Sequence, residues 1–237
     1  MKLSVLMPAY NERATIREIV GRVLAVDLGS LEREIVIVDD GSKDGTRDIL
    51  AEMDGQDGVR VFLQERNQGK GAAIARAIKE STGDILIVQD ADLEYNPQDY
   101  TDLLAPILDG RAEVVYGSRF LGHPRGHRVL YFWHSVGNKV LTLLSNAFTD
   151  LNLTDMETCY KVFVRRVADR LDLQSRDFGM EPEITCKVAR MRVKIYEVPI
   201  SYNGRTYEEG KKIGLKDAFR AVWTILKFWR WSPASRP

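Results

Sequence analysis

The most informative absence in this sequence is that of a long hydrophobic stretch. The longest uninterrupted apolar run in the 237 residues is VLYFW at 129–133. A helix that spans a bilayer needs about 20 predominantly apolar residues. We therefore expect that the chain does not cross a membrane by itself.

Cysteine and net charge are also scarce. Cys159 and Cys186 are the two cysteines, and neither belongs to a CxxC pair or a His/Cys cluster. This argues against a disulfide framework and structural zinc, and suits a reducing cytosol. The 34 basic residues balance the 34 acidic ones, which gives no general case for binding nucleic acid or an anionic membrane. Any electrostatic function must therefore be local.

The sequence does contain short β-branched runs that alternate with helical patterns. Strands are predicted at 3–7, 34–38, 59–63, 84–88 and 112–118. Helices are predicted between them at 12–26, 44–54, 70–81 and 97–109. Asn96 followed by Pro97 is a typical start signal for the last of these helices. Uniformly apolar strands that alternate with helices predict an α/β fold with a mostly parallel central sheet, flanked by helices.

The pattern loosens after residue 120. Further elements are predicted as a helix at 134–148, a strand at 157–164, a helix near 181–191 and a strand at 193–202. The segment 215–231 predicts an amphipathic helix. Its expected apolar face comprises Leu215, Phe219, Val222, Ile225, Leu226 and Trp229. Its expected polar face comprises Lys216, Arg220, Thr224 and Lys227. We divide the chain into a domain at 1–214 and a C-terminal helix and tail at 215–237, which either lies at a membrane interface or packs on protein.

A dense acidic motif, VQDADLE, follows the predicted strand at 84–88. Asp90, Asp92 and Glu94 provide the hard oxygen ligands that suit Mg²⁺ or Mn²⁺, with a diphosphate bound to the metal. The alternative is a strand end whose acids interact with the N-terminus of the next helix. The position of the motif after a buried strand favours a divalent metal site.

Polar residues follow other strands as well. PAYNE after the first strand offers Tyr10 for stacking and Glu12 as an acceptor, and Asp39 and Asp40 after the second suit a base or ribose. Each motif is also compatible with an ordinary turn that caps a helix. GKG at 69–71 lacks the spacing of a phosphate loop and indicates a glycine-rich helix start. Ligands of open α/β sheets bind beyond the carboxyl ends of the strands, so a site is predicted at this edge.

Together the motifs PAYNE, VDDGSKDGT, GDILIVQDADLEYNP, VVYGSR and DMETCYKVF resemble those of family-2 glycosyltransferases of GT-A fold. Within that family the sequence resembles the dolichyl/polyprenyl-phosphate mannose synthase group over roughly 1–214. The resemblance implies a nucleotide site formed by Pro8, Ala9, Tyr10, Glu12, Asp39, Asp40, Asp90 and Ala91. It implies that the metal ligands are Asp90, Asp92 and Glu94. It implies phosphate contacts from Arg119, Arg128, Arg205 and Lys211, with 205–211 as a closing loop.

The expected reaction is an inverting, metal-dependent transfer of a hexose, mannose in the first instance, from a nucleotide diphosphate sugar to a polyprenyl or dolichyl phosphate. We assign catalytic roles to Asp92, Arg119 and Asp155. A lipid phosphate is already anionic at neutral pH, whereas a hydroxyl acceptor needs a base, for which Asp155 is the candidate. The alternative assignment for Asp155 is a structural acid that caps a turn after Thr154. The synthases commonly have Gln where this chain has Glu94, which leaves the donor open.

Other functions share the donor-side motifs. A UDP-glucose-type donor, a soluble or polysaccharide hydroxyl acceptor, a nucleotidyltransferase and a non-catalytic nucleotide-sugar sensor are the alternatives. The protein is expected in the cytoplasm, either free or peripheral on the cytoplasmic face of the membrane. Self-association stays open, and nucleic acid is not an expected partner.

Overall fold

The computed structural model describes residues 1–122, 128–129, 131–204 and 215–232, without the side chains of residues 215 and 216. Seven strands in these ranges form one sheet. In chain order they are β1 (Lys2–Ala9), β2 (Glu32–Asp39), β3 (Val59–Leu63), β4 (Ile85–Val88), β5 (Val114–Ser118), β6 (Lys161–Val164) and β7 (Ile195–Pro199). Their spatial order is β3-β2-β1-β4-β6-β5-β7.

The sheet is parallel except at one strand. β1 pairs in parallel with β2 and β4, β2 with β3, and β5 with β7. β6 runs antiparallel between β4 and β5. The carboxyl ends of β1, β2, β4 and β5 therefore lie at the same edge, and the segment that leads into β6 enters between the ends of β4 and β5. The mostly parallel α/β fold predicted from the sequence is confirmed.

Helices cover both faces of the sheet, so the central strands are buried on both sides. The helices are α1 (Ile16–Leu24), α2 (Thr46–Met53), α3 (Lys70–Glu80), α4 (Tyr100–Leu108), α5 (Phe132–Thr149), α6 (Arg165–Ala168), α7 (Met180–Met191) and α8 (Leu215–Phe228). A 3₁₀ turn at Pro97–Asp99 precedes α4, and the Asn96 side chain accepts a hydrogen bond from the Gln98 amide. The predicted start signal at Asn96–Pro97 is thus confirmed.

Several predicted boundaries are corrected. The strand predicted at 157–164 begins only at Lys161, because the preceding residues form an irregular segment at the carboxyl edge of the sheet. The strand predicted at 193–202 ends at Pro199, and the helix predicted at 12–26 is Ile16–Leu24. The helix predicted at 134–148 extends over Phe132–Thr149. In each case the apolar pattern is right, and the errors lie at the ends, where local turns compete with regular pairing.

The C-terminal helix α8 packs against α5 and α7, but the face that it buries differs from the predicted one. Thr224, predicted to be polar and exposed, is buried with Ile225 and Phe228, while Phe219 and Leu226 are exposed. Gly179 faces the Thr224 hydroxyl so closely that a Cβ there would lie 2.8 Å from it. The small side chains allow a close approach, and the Thr224 hydroxyl bonds the Arg220 carbonyl within its own helix. None of the helices in the described ranges combines the length and apolarity needed to cross a bilayer.

Candidate active site

A cavity of about 770 Å³ opens at the carboxyl edge of the sheet. Its lining comprises Asn11, Glu12, Arg13, Ala14, Thr15, Asp44, Asp92, Leu93, Arg128 and Asn203. These residues come from the turn after β1, the turn before α2, the acidic motif after β4 and two later segments. The sheet topology therefore gathers the motifs that are far apart in the sequence.

The acidic motif is held in a tight turn at this cavity. Leu93 has a left-handed backbone with φ of 65°, and the Glu94 amide donates a hydrogen bond to Asp92 Oδ1 at 3.1 Å. Glu94 Oε2 accepts a hydrogen bond of 2.7 Å from the Tyr202 hydroxyl. A left-handed conformation at a leucine is costly, so the surrounding contacts must hold the turn in place. The turn presents Asp92 at the cavity wall.

Asp90 has a positive partner within the protein. Lys70 Nζ lies 2.8 Å from Asp90 Oδ1 and 3.0 Å from Oδ2. Burial lowers the pKa of Lys70, but the neighbouring carboxylates outweigh it and leave the pKa well above its ordinary value, so the ammonium stays charged. Among the described residues no three His, Cys, Asp or Glu side chains form a preformed cluster that could hold a metal ion. The three acids predicted as metal ligands thus contact different partners.

Asp39 and Asp40, both buried, have different surroundings. Asp39 Oδ1 accepts hydrogen bonds from the Gly41 and Ser42 amides and lies 2.6 Å from Arg47 Nε. Asp39 Oδ2 is buried and has no hydrogen-bond partner among the described residues. This oxygen is the one that a ligand hydroxyl or base could use, because a buried polar atom without a partner is costly.

Both carboxylate oxygens of Asp40 are engaged. They accept hydrogen bonds from the Gln68 amide at 2.7 Å, the Gly69 amide at 2.8 Å and the Gln64 side chain at 3.0 Å. Burial raises the pKa of Asp40, although the backbone hydrogen bonds oppose this effect. Asp40 therefore anchors the loop that leads into α3 and Lys70.

Arg119 and Asp155 form a buried bidentate ion pair. Arg119 Nε lies 2.7 Å from Asp155 Oδ2, Nη2 lies 2.8 Å from Oδ1, and the Arg119 amide also donates to Oδ2. Asn138 from α5 donates a further hydrogen bond of 3.0 Å to Oδ1. Asp155 is 0% exposed, and its four donors leave it no access to an incoming hydroxyl. Arg119 also lies over the Tyr202 ring, 5.1 Å from its centroid.

A second charged cluster lies where the chain enters β6. Lys161 is buried and pairs with Glu181, which in turn lies 3.6 Å from Lys70. Glu157 is half-buried at this edge, and its buried Oε1 has no hydrogen-bond partner within the described ranges. Burial and the nearby Glu181 raise the pKa of Glu157 to about 7. A line of alternating charges therefore runs from Asp90 through Lys70 and Glu181 to Lys161.

The remaining predicted residues are placed as follows. Glu12 lines the cavity and its Oε2 accepts a hydrogen bond from Thr15, while Tyr10 is exposed. Pro8 is half-buried, and Ala9 and Ala91 are buried. Arg128 lines the cavity and donates to the Gly204 carbonyl at 2.7 Å. Arg205 and Lys211, with the predicted closing loop, lie outside the described residues.

Sequence reasoning missed the role of three residues around the site. The sequence pattern places Lys70 in a helix start, and its position between Gly69 and Gly71 is the one local signal that sets it apart. Asn138 and Glu181 carry no local signal, because their partners Asp155 and Lys161 come from elements distant in sequence. Only the tertiary structure could identify them.

A mostly parallel α/β sheet with acidic residues at its carboxyl edge defines the class of protein, a GT-A nucleotide-sugar-binding fold. The family model for glycosyl transferase family 2 matches residues 4–172. The chain therefore belongs to glycosyl transferase family 2, and the enzyme class predicted from the sequence, a glycosyltransferase, is confirmed.

Relatives with known names agree with this family. A dolichol-phosphate mannosyltransferase from Pyrococcus furiosus is 28% identical over 232 residues, which cover 98% of this chain and 64% of the relative. The chain thus spans less than two thirds of that protein. Glucosyl-3-phosphoglycerate synthase from Mycobacterium tuberculosis, in complex with Mn²⁺, UDP and phosphoglyceric acid, matches with a TM-score of 0.73 at 21% identity, covering 99% of this chain and 80% of that one. Its complex with Mn²⁺, UDP-glucose and phosphoglyceric acid matches with a TM-score of 0.74 at 20% identity, covering 99% and 81%. At this identity the structural match establishes the fold.

Proposed function

We propose that the protein transfers a hexose, with inversion, from a nucleotide diphosphate sugar to the phosphate group of an acceptor, a polyprenyl or dolichyl phosphate in the first instance. The observation that supports this most directly is that both carboxylate oxygens of Asp155 already accept hydrogen bonds within the protein. Its carboxylate is buried and binds Arg119 and Asn138, so it is not available as a general base. A phosphate acceptor needs no base, because it is already ionised near neutral pH.

Arg119 has a positioning role in this proposal. Burial lowers its pKa, but Asp155 outweighs that effect and holds the pKa well above its ordinary value. Its charge is therefore permanent and follows directly after β5. Guanidinium groups bind phosphate oxygens with matched geometry, which suits an anionic acceptor or leaving group.

The residues proposed to contact the nucleotide-sugar donor include Asp39, Asp92 and Glu12. The orphaned Oδ2 of Asp39 suits a donor hydroxyl or base, and Asp92 presents hard carboxylate oxygen at the cavity. The carboxylates of the acidic motif, Asp92 among them, would hold Mg²⁺ or Mn²⁺, because both ions prefer carboxylate and phosphate oxygens. The chemistry that such an ion supplies is neutralisation of charge on the departing diphosphate.

The named relatives support two versions of this function. The mannosyltransferase that matches 98% of the chain favours a lipid phosphate acceptor and a mannose donor. The structural neighbours, crystallised with UDP-glucose and phosphoglyceric acid, favour a UDP-glucose donor and a small acceptor. The occupied Asp155 suits the lipid phosphate version, in which a phosphate oxygen attacks and no base is needed. Phosphoglyceric acid also offers a hydroxyl, whose attack would need a base, so the acceptor as well as the donor base and sugar distinguishes the two versions.

The test is a matrix of donors and acceptors. GDP-mannose and UDP-glucose are each incubated with Mn²⁺ and a short polyprenyl phosphate, the matching phosphate-free polyprenol or 3-phosphoglycerate, and products are identified by mass spectrometry. We expect a glycosylated product with the polyprenyl phosphate and none with the polyprenol, whereas a product with 3-phosphoglycerate alone would favour the small-acceptor version. Transfer to the polyprenol at a comparable rate would contradict the proposal.

Asp155→Asn separates positioning from base catalysis. We expect a drop in kcat/KM with an unchanged pH profile, because the variant loosens Arg119 without removing a proton acceptor. Asp92→Ala should lose nearly all turnover. Loss of a limb from the pH profile of Asp155→Asn would instead support a hydroxyl acceptor with Asp155 as base.

A further inference from the structure

The Lys70–Asp90 pair is unlike a structural ion pair of the core. Both side chains retain some exposure, 19% for Lys70 and 18% for Asp90. The pair Lys187–Glu183 is 0% exposed on both sides, and Lys187 also donates to the Leu171 and Asp172 carbonyls. A buried pair with such extra hydrogen bonds has a purely structural environment. Lys70 instead faces a carboxylate, Asp90, that the sequence predicts as a metal ligand.

The position of Lys70 is fixed by its surroundings. Asp40 accepts hydrogen bonds from the Gln68 and Gly69 amides, immediately before Lys70. Gly69 packs so closely on the chain that a Cβ there would lie 2.1 Å from the Arg176 carbonyl oxygen. On its far side the Lys70 ammonium lies 3.6 Å from Glu181. The ammonium is therefore held between two carboxylates by a rigid loop.

A fixed cation on Asp90 changes what the acidic motif can bind. Both oxygens of Asp90 lie within 3.0 Å of the ammonium, so a divalent ion that approached Asp90 would meet a like charge. Asp92 and Glu94 alone supply fewer anionic ligands than a tight Mn²⁺ site needs. A nucleoside diphosphate would supply the missing oxygens and negative charge.

We propose that the Lys70 ammonium, as the permanent ion-pair partner of Asp90, makes the binding of a divalent ion depend on the diphosphate of the donor. This inference rests on the proposed function, because it assumes a nucleotide diphosphate donor and a metal at the acidic motif. Metal and nucleotide then bind as a unit, and the coupling between them is reciprocal.

The test measures Mn²⁺ binding to the full chain by electron paramagnetic resonance of the free ion, alone and with UDP or GDP, after subtraction of the Mn²⁺ that each nucleotide binds in protein-free solution. For the wild type we expect Mn²⁺ affinity to rise about tenfold or more with one of the nucleotides. Lys70→Met should bind Mn²⁺ alone about tenfold more tightly than the wild type, because Asp90 becomes a ligand. Lys79→Met, an exposed lysine of the same helix, is the matched control and should behave as the wild type.

Two further variants separate the charge of Lys70 from its hydrogen bonding. Lys70→Gln keeps a hydrogen-bond donor towards Asp90 without the charge and should gain affinity as Lys70→Met does, while Lys70→Arg keeps the charge and should not. Thermal unfolding checks that each variant is folded. Equal affinity for Mn²⁺ alone in the wild type and in a folded neutral variant would overturn the proposal.

Measurements on the wild type alone also test both the role of Lys70 and the proposed function. If Mn²⁺ binds equally well with and without nucleotide, and the nucleotide binds too, the role of Lys70 is wrong and the proposed function stands. If neither UDP nor GDP binds in the presence of Mn²⁺, the proposed function itself fails, and the inference about Lys70 fails with it.

Discussion

Single carboxylates of this protein differ sharply in what surrounds them. Asp155 and Asp40 have every oxygen engaged, whereas Asp39 and Glu157 each bury one oxygen without a partner in the described part of the chain. Burying an unpaired polar atom costs about 1–3 kcal/mol. Such atoms are therefore better candidates for contact with a substrate than their fully bonded neighbours.

Glu34 shows the opposite case, a carboxylate that serves stability at the far end of the sheet. Burial raises its pKa, but hydrogen bonds from Ser4, Thr82 and Lys2 outweigh that effect and lower the pKa to about 2. A carboxyl whose pKa falls on folding stabilises the folded state above its unfolded pKa and loses that effect as pH falls through the folded value. The contribution at neutral pH is about 3 kcal/mol.

Glu34→Gln should therefore lower the free energy of unfolding at pH 7 by up to about 3 kcal/mol. The difference from the wild type should shrink as pH falls below about 4.5, because the wild-type carboxyl then begins to lose its advantage. Urea denaturation at pH 7 and pH 4 measures it. Glu32→Gln, exposed on the same strand, is the control. A difference that stays constant with pH would show that the ionised form of Glu34 is not the source of the stability.

At the scale of elements, loops rather than helices bring the site together. The loop before α3 is fixed by hydrogen bonds to Asp40 and by close backbone contact with Arg176. The turn after β4 contains Leu93 in a left-handed conformation. The segment before β6 places Asp155 against Arg119. Each loop joins a rigid strand, so the backbone positions of the functional side chains are fixed.

Gly69→Ala should disturb this arrangement more than an ordinary loop substitution. Gly69 has φ of 98°, and a Cβ would lie 2.1 Å from the Arg176 carbonyl oxygen, so strain and steric clash add. We expect a loss of about 2–4 kcal/mol in unfolding free energy. Gly55→Ala has a positive φ but no atom within 4 Å of the added Cβ, and should lose about 1 kcal/mol. Equal losses in chemical denaturation would mean that the close contact does not constrain the loop.

At the scale of the whole molecule, α5 and α8 leave large apolar side chains exposed. Trp133 is 79% exposed and Trp223 is 68% exposed, and the exposed Phe132 and Phe219 lie one residue before the first and four residues before the second. The C-terminal ends of the two helices meet at the ring pair of Phe148 and Trp229. Exposed tryptophans near basic side chains are typical of helices that lie at a membrane interface. This supports, as a proposal, a peripheral location for an enzyme that uses a lipid phosphate.

Vesicle flotation tests the membrane contact. The variant Phe219→Gln/Trp223→Gln should float less with vesicles that contain anionic lipid than the wild type does, because it removes exposed apolar area without touching the buried face of α8. Leu108→Gln, exposed at the end of α4, is the control and should float as the wild type does. Equal partitioning of all three proteins would remove the membrane role from 215–231.

The sequence by itself determined the fold class and the family, and it predicted the edge of the sheet at which the site lies. Strand and helix periodicity and the order of the motifs are local properties, so they are legible without coordinates, and the α/β fold and glycosyltransferase class are confirmed. The predicted nucleotide, metal and phosphate ligands stay predictions.

The tertiary structure decided which charges meet. The sequence suggested a divalent ion among Asp90, Asp92 and Glu94, but could not pair Lys70 with Asp90 or Arg119 with Asp155. It also misplaced the buried face of α8, because Thr224 is buried by its fit against Gly179 and not by its polarity. Ion pairs and close packing depend on distances between residues far apart in the chain, and only the folded backbone sets those distances.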